Sequence, residues 1–350
     1  MLKLIKKASF KILLSISLIF ILIFAFLLRA QIKEQYHHVI AFYKVYKGDN
    51  EYKKGQFSKA IDYYNQALLL YPGHIKARYN LGNIYVAYED YGSALACYEE
   101  ALRYKENFLN ARINLGILLT EQFFDYQRAI KEYEKVIKYA PIIINIPFIY
   151  NNESFVKNAK AIAYYNTGLA YKGQSLMLGD KNNFSKYYLE QAAESYKNAL
   201  KIQPDNYDDY FNLALTFQLL GYKEKATSAY CKAINLAPWK YDAHYNFAIL
   251  LRDRKNYVDS IIELEKAGLI IDTKGEGFSS YYIYEVLSEV TKSARAQGDY
   301  KSLMEKINNN PVNTFQLSYI DGKVVSTEDF DKAMVQNMKY CSACEDQDND

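Results

Sequence analysis

The sequence has one tryptophan, four cysteines and four histidines in 350 residues. Four cysteines are too few to staple a chain of this length into a disulfide scaffold. His37, His38, His74 and His244 are scattered, with no nucleophile or carboxylate pattern that reads as a catalytic set. The adjacent His37 and His38 would face different directions on a helix, which makes them poor joint metal ligands. No glycine-rich phosphate loop is present. Basic residues are not concentrated either: the net charge is +3, and Lys and Arg alternate with Asp and Glu, which argues against nucleic acid as a partner. Tyrosine is abundant, at 36 residues, together with Lys, Asn, Ile and Phe. That bias fits an AT-rich coding sequence and carries no functional argument.

What is present begins with a basic segment, 1–11, holding Lys3, Lys6, Lys7 and Lys11. Residues 12–28, ILLSISLIFILIFAFLL, contain no charge and only two serines. As a helix this run rises about 25 Å, close to the ~30 Å of a hydrocarbon core. It is longer than the roughly 7–15 apolar residues of a signal peptide, and no small-x-small cleavage site follows. We therefore expect a transmembrane signal anchor rather than a cleaved leader. The lysine cluster predicts a single-pass protein with its N-terminus in the cytoplasm and its remainder extracytoplasmic, periplasmic in a bacterium. Arg29, Lys33, Lys44 and Lys47 follow the run and weaken that charge bias.

The organising stretch is 75–108, IKARYNLGNIYVAYEDYGSALACYEEALRYKENF. It reads as two short amphipathic helices. Leu81, Gly82 and Tyr85 share a face of the first, and Ala94, Tyr98 and Ala101 share a face of the second. Glu89-Asp90-Tyr91-Gly92 is expected to turn between them. Small residues at Gly82, Ala94 and Ala101 let two helices approach while tyrosines fill the gaps. The pattern recurs at 41–74, 109–143, 207–240 and 241–274, with a period of 34 residues wherever nothing is inserted. Repeat one carries Gly48, Ala60, Tyr64, Ala67 and Pro72; repeat five carries Leu213, Ala214, Phe217, Ala226, Tyr230, Ala233 and Pro238.

This pattern, L-G-x-x-Y, then A-x-x-x-F/Y, then P, resembles the tetratricopeptide repeat (TPR) family. The first-helix Trp of the family pattern is absent, Glu106 replaces the closing Pro of repeat two, and Asp272 that of repeat six. The resemblance implies an all-α solenoid of helical hairpins, with repeats one to three over 41–143 and four to six over 161–274. It also implies a concave groove lined by positions 2, 5, 6, 9, 12 and 13 of each first helix. Position 6 is Asn80, Asn114, Asn166, Asn212 and Asn246, with Tyr46 in repeat one. Position 5 includes Tyr79, Tyr165, Phe211 and Tyr245, and Ile113 in repeat three. An asparagine offers a donor and an acceptor, and a row of them could bind the backbone of an extended peptide whatever its sequence. Aromatic neighbours add rigid contact area. The competing reading is that these asparagines only tie helix to helix. A clamp for an acidic C-terminus would need basic residues at position 2, where only Lys76 fits; Asn110, Ile162, Asp208 and Asp242 occupy the others.

Between the repeat blocks, 144–160 reads as an insertion, and the overlapping stretch 142–155 is apolar and broken by Pro147. Repeat four is stretched about Gly179-Asp180-Lys181-Asn182-Asn183, which predicts two lengthened helices. Residues 275–340 read as a cap: helices over 278–297 and 299–308, a short β-hairpin at 314–326 around Asp321-Gly322, and a final helix over 327–340. The tail, 341–350, is acidic and contains Cys341 and Cys344 as CxxC. Such a pair can be a redox couple or half a metal site. A zinc ribbon would need a second CxxC, and a fainter resemblance to membrane-anchored TPR regulators with a rubredoxin-like module lacks half of that module's ligands. Cys97 and Cys231 fall in second helices, where a small apolar residue is ordinary core.

The sequence therefore reads as a membrane-anchored TPR scaffold that binds a partner protein, as an extended peptide or helix. No enzyme activity is expected, since no catalytic module of adequate size remains outside the repeats. No cofactor is expected either. The alternative is a redox- or metal-linked assembly factor using Cys341 and Cys344.

Overall fold

The computed structural model describes residues 2–139, 153–179, 183–274, 277–298 and Cys344. They form thirteen α-helices, and no strand occurs among the described residues. The chain divides into two compact units, residues 1–118 and 119–350.

The first unit opens with α1 (Leu2–Lys53), followed by α2 (Phe57–Leu70), α3 (Ile75–Ala87), α4 (Tyr91–Tyr104) and most of α5 (Leu109–Glu121). Helix α1 packs on α2 through Ala41 and Val45, in a core with Ala60, Tyr64, Ala67, Ala77, Leu81 and Ile84. The glycines of the repeat signature have a definite task. A Cβ on Gly48 would lie 2.6 Å from the Tyr64 ring, and one on Gly82 would lie 2.6 Å from the Tyr98 ring. Each glycine thus lets its helix close onto the tyrosine of its hairpin partner. The turn between α3 and α4 is tighter than expected: Glu89 takes a left-handed conformation (φ 59°), Asp90 caps α4 by accepting from the Ser93 N–H at 3.1 Å, and Tyr91 and Gly92 are already helical.

The second unit contains α6 (Tyr126–Lys138), α7 (Glu153–Leu178), α8 (Asn183–Ile202), α9 (Tyr207–Leu219), α10 (Lys223–Leu236), α11 (Tyr241–Asp253), α12 (Tyr257–Lys274) and α13 (Gly277–Gln297). Its cores follow the repeat pattern, with Tyr196, Tyr230 and Phe247 fully buried beside Ala192, Ala214, Ala226 and Ala233. Helices α7 and α8, the hairpin of repeat four, run to 26 and 20 residues, against 13 or 14 for α9 and α10. The extension is tied by the Ser175 and Ser185 hydroxyls, 2.6 Å apart and buried.

One expectation changes. The segment 144–160 is not one insertion: helix α7 has begun by Glu153, and Val156 and Ala159 are core residues. The physical reason is that 153–160 carries apolar residues at helical spacing, so the helix begins within the segment. Residues 140–152 lie outside the described residues. So do the hairpin 314–326, the helices 299–308 and 327–340, and the tail apart from Cys344. Helix α13 covers the segment read as the first capping helix. No helix among the described residues is long and apolar enough to cross a membrane. The apolar run lies within helix α1, but of its side chains only those from Leu18 onward, apart from Ile21, are described, and these are exposed.

Candidate functional site

The position-6 asparagines occupy first helices, and each places its amide nitrogen on an oxygen of the chain itself. In the first unit, Asn80 donates to Asp49 Oδ1 at 2.8 Å and to the Tyr64 hydroxyl at 3.1 Å. Asn114 donates to Asn83 Oδ1 at 2.9 Å and to the Tyr79 hydroxyl at 3.3 Å. In the second unit, Asn212 donates to the Tyr165 hydroxyl at 3.2 Å and to the Asp208 carbonyl at 2.9 Å, and its Oδ1 accepts from Lys172 Nζ at 2.6 Å. Asn166 and Asn246 donate to the carbonyls of Ile162 and Asp242, one turn back, at 2.8 Å each. Asn166 and Asn212 are buried.

A regular device emerges. The asparagine of one repeat holds the position-5 tyrosine hydroxyl of the repeat before it: Asn114 holds Tyr79, and Asn212 holds Tyr165. The rings are braced as well. Tyr79 packs against Tyr98 and Phe108, and Tyr165 against Tyr196. Phe211 stacks on Tyr207 with rings 9° apart, while Tyr245 packs on the core around Ile261 and Leu264. The position-5 rings Tyr79, Tyr165, Phe211 and Tyr245 are half-buried, not sealed. Burial pushes the Tyr165 hydroxyl up to about 12, with Asp208 and Asp209 adding to it, so it is a neutral phenol at physiological pH.

Sequence reasoning did not anticipate the polar neighbours of this device. Lys172 on α7 is lowered by burial to about 8. Asp209 is buried on α9, and burial followed by the neighbouring Asp208 charge raises its carboxyl to about 7. Its Oδ1 and the buried Tyr196 hydroxyl have no hydrogen-bond partner among the described residues. Further along, His244, Glu263 and Lys266 form a buried polar triad. His244 Nδ1 lies 2.6 Å from Glu263 Oε2, His244 Nε2 lies 2.9 Å from the Pro238 carbonyl, and Lys266 donates to Glu263 Oε1 at 2.7 Å. Nothing in the spacing of these residues along the sequence marks a buried pair.

The cysteines rearrange more sharply. Cys344 is not paired with Cys341. It forms a disulfide with Cys231 on α10, across 113 residues of sequence. Cys231 is core, in keeping with its position in a second helix, but it also anchors the tail. Spacing in the sequence favours the CxxC neighbour, and only the fold brings residue 344 onto α10. Cys341 lies outside the described residues. No group of three or more metal-ligating side chains occurs among the described residues.

Comparison with known proteins agrees with the repeats. Tetratricopeptide-repeat family models match residues 39–107 and 210–238, and a TPR-repeat model matches 188–221. The chain is 26% identical over 198 residues to a TPR repeat-containing protein of Methanocaldococcus jannaschii, half of this chain and 34% of that protein. It thus spans about a third of that relative's length. Among solved structures it is similar to PilF of Pseudomonas aeruginosa, with TM-score 0.52, 14% identity, and coverage of 71% of this chain and 98% of that one. It is also similar to PilW, a type IV pilus biogenesis factor, with TM-score 0.50, 15% identity, and coverage of 69% and 94%. At these identities the likeness is one of fold. The described elements are thus helical throughout, and 39–107 and 188–238 are matched as tetratricopeptide repeats.

Proposed function

We propose that this chain is a membrane-held TPR scaffold that binds a segment of a partner protein against the braced aromatic rings of its first helices. The observation that carries the reading is the Asn-to-Tyr hydrogen bond repeated in both units, Asn114 to Tyr79 and Asn212 to Tyr165. A hydroxyl held from the next repeat fixes a half-buried ring in one orientation, so little side-chain entropy is lost on binding. The asparagines on this reading position the aromatics rather than grip the peptide backbone themselves, since each amide nitrogen already donates within the chain. TPR hairpins as a class suit protein binding rather than catalysis, and the PilW likeness is in keeping with an assembly role.

Membrane attachment rests on residues 12–28, an uncharged run behind a lysine cluster, and on the exposed apolar side chains described between Leu18 and Leu28. The Cys231–Cys344 disulfide supports placing the repeats outside the cytoplasm, because such a bond persists in an oxidising compartment. It also weakens the alternative reading, in which Cys341 and Cys344 act as a thiol pair.

Asn212 is a poor probe of binding, because it also holds Lys172 and Tyr165. Tyr245→Ala combined with Phe211→Ala is better, since neither ring makes a polar bond described above. Crosslinking pull-down from membranes, with the full chain as bait, should lose a specific protein in that variant while far-UV circular dichroism shows it still folded at the assay temperature. An identical catch from both baits would remove the groove reading.

A further inference from the structure

Helix α1 carries an apolar stripe that the fold leaves uncovered. Ile32, Tyr36, Val39, Phe42, Tyr43 and Tyr46 are each between 52% and 64% exposed. Five of them, Ile32, Tyr36, Val39, Tyr43 and Tyr46, follow one another at spacings of 4, 3, 4 and 3. That is the 3.5-residue spacing of a coiled-coil seam, with Tyr36 and Tyr43 at a, and Ile32, Val39 and Tyr46 at d. The opposite face of the same helix is used by the fold: Ala41 and Val45 are core, and Gly48 meets the Tyr64 ring.

The equivalent face of the next repeat is not open. Thirty-four residues beyond Tyr43 lies Ala77, fully buried in the cluster that includes Ala60 and Ala67 of α2. A preceding hairpin covers that position in repeat two, and nothing among the described residues covers it in repeat one. The end of a repeat array ordinarily stays soluble by carrying a polar outer face. Here that face is aromatic and aliphatic.

We propose that this stripe pairs with the same stripe of a second copy of the chain, as a parallel two-helix seam. Counting about 200 Å² for a fully exposed aromatic side chain, and less for Ile or Val, the six residues present roughly 700 Å² per protomer. A stable interface needs about 800 Å² per partner, so the stripe supplies most of that area from one helix. The flanks are compatible. Phe42 falls at g and Lys47 at e, so each Phe42 ring meets Lys47 of the partner subunit, a cation–π pairing. Lys47 already lies against an aromatic ring in the single chain, its Nζ 5.5 Å from the Tyr43 ring centre. Parallel orientation rests on the membrane-anchor reading: two chains inserted the same way present α1 side by side, and the seam begins four residues beyond the apolar run.

The test uses the full chain in membranes, with Cys97→Ser and Cys341→Ser to remove other thiols and the Cys231–Cys344 bond left intact. Val39→Cys, in the seam, is compared with Glu34→Cys, an exposed position outside it. Mild oxidation should crosslink the seam variant into a homodimer at least about tenfold faster than the control, and adding Tyr36→Glu with Tyr43→Glu should abolish the difference. Equal rates, no dimer, or crosslinking to a different polypeptide would each overturn the proposal. So would brominated-lipid quenching of a fluorophore attached to the Val39→Cys thiol, which would place the stripe on the bilayer. Alkaline extraction reports the anchor separately, so a protein released from membranes that still forms the seam dimer would refute the anchor and keep the pairing.

Discussion

Gly82→Ala adds one methyl group at the tightest point of a TPR hairpin. Its Cβ would sit 2.6, 2.9 and 3.1 Å from three atoms of the Tyr98 ring. Ordinary carbon contacts lie near 3.5–4.0 Å, so helix or ring must move by roughly 1 Å. The ring has little freedom to move, being 2% exposed with its hydroxyl donating to Asn83 Oδ1 at 2.8 Å. Overpacking of this kind costs about 1–3 kcal/mol. Alanine is the better helix former by about 1 kcal/mol, which offsets part of it. Repeat five, with Ala214 opposite the buried Tyr230, demonstrates that the pair can be packed when the whole hairpin is built for it. We therefore expect a net loss of up to about 2 kcal/mol. Gly92→Ala is the control. Its Cβ would meet only Asp90 Oδ1, at 3.9 Å, so the same substitution should stabilise by about 0.5 kcal/mol. Repeat six suggests the compensating change, because it places Ala248 with Leu264. Tyr98→Leu added to Gly82→Ala should cost at least about 1 kcal/mol less than the two single losses added together. Urea unfolding of each variant, followed by far-UV circular dichroism, measures all of these quantities. Equal effects at Gly82 and Gly92, or strict additivity of the pair, would refute the close-approach argument.

Three further outcomes follow from the second unit. Reducing the Cys231–Cys344 bond, or Cys344→Ser, should destabilise by up to about 4–5 kcal/mol on the chain-entropy estimate for a closed loop of this size, read as a lower urea midpoint under reducing conditions. Burial favours the neutral form of Glu263, but the Lys266 and His244 charges outweigh it and hold its carboxyl at about 2. A carboxyl depressed in the folded state contributes stability that is present above the unfolded range near ~4.3 and lost as pH falls through about 2. Glu263→Gln should therefore flatten the acid limb of a stability–pH curve, and cost about 3–5 kcal/mol at neutral pH by removing the carboxylate that Lys266 pairs with. Asp209 has the opposite sign: with its carboxyl raised to about 7, ionisation opposes folding increasingly as pH rises from ~4 to 7. Asp209→Asn should raise the unfolding free energy at pH ~8 by about 1–3 kcal/mol, read as a higher urea midpoint, and leave it nearly unchanged at pH ~4.

The repeated Gly, Ala and Tyr positions made the hairpins legible, because close helix packing admits few residue types at those points and a fixed period exposes them. The greater length of repeat four was legible for the same reason, as a departure from that period. The start of α7 at Glu153 was harder to read, since Pro147 marks where helix cannot run but not where it resumes. The asparagine row was visible as a row, but whether it faces a ligand or a neighbouring repeat depends on the offset between hairpins. That offset places Asn114 on Tyr79 and Asn212 on Tyr165.

Local chemistry thus determined the helices, their pairing within each repeat, and the small-to-large contacts that close them, because those interactions join residues at most a few tens of positions apart. Tertiary structure alone decided that Cys344 meets Cys231, that Glu263 is enclosed between Lys266 and His244, and that Asp209 loses water. Each of these depends on which surfaces the stacked helices cover. The period of a sequence specifies that hairpins stack, but the side chains lost to solvent are fixed only by the distances at which they do so.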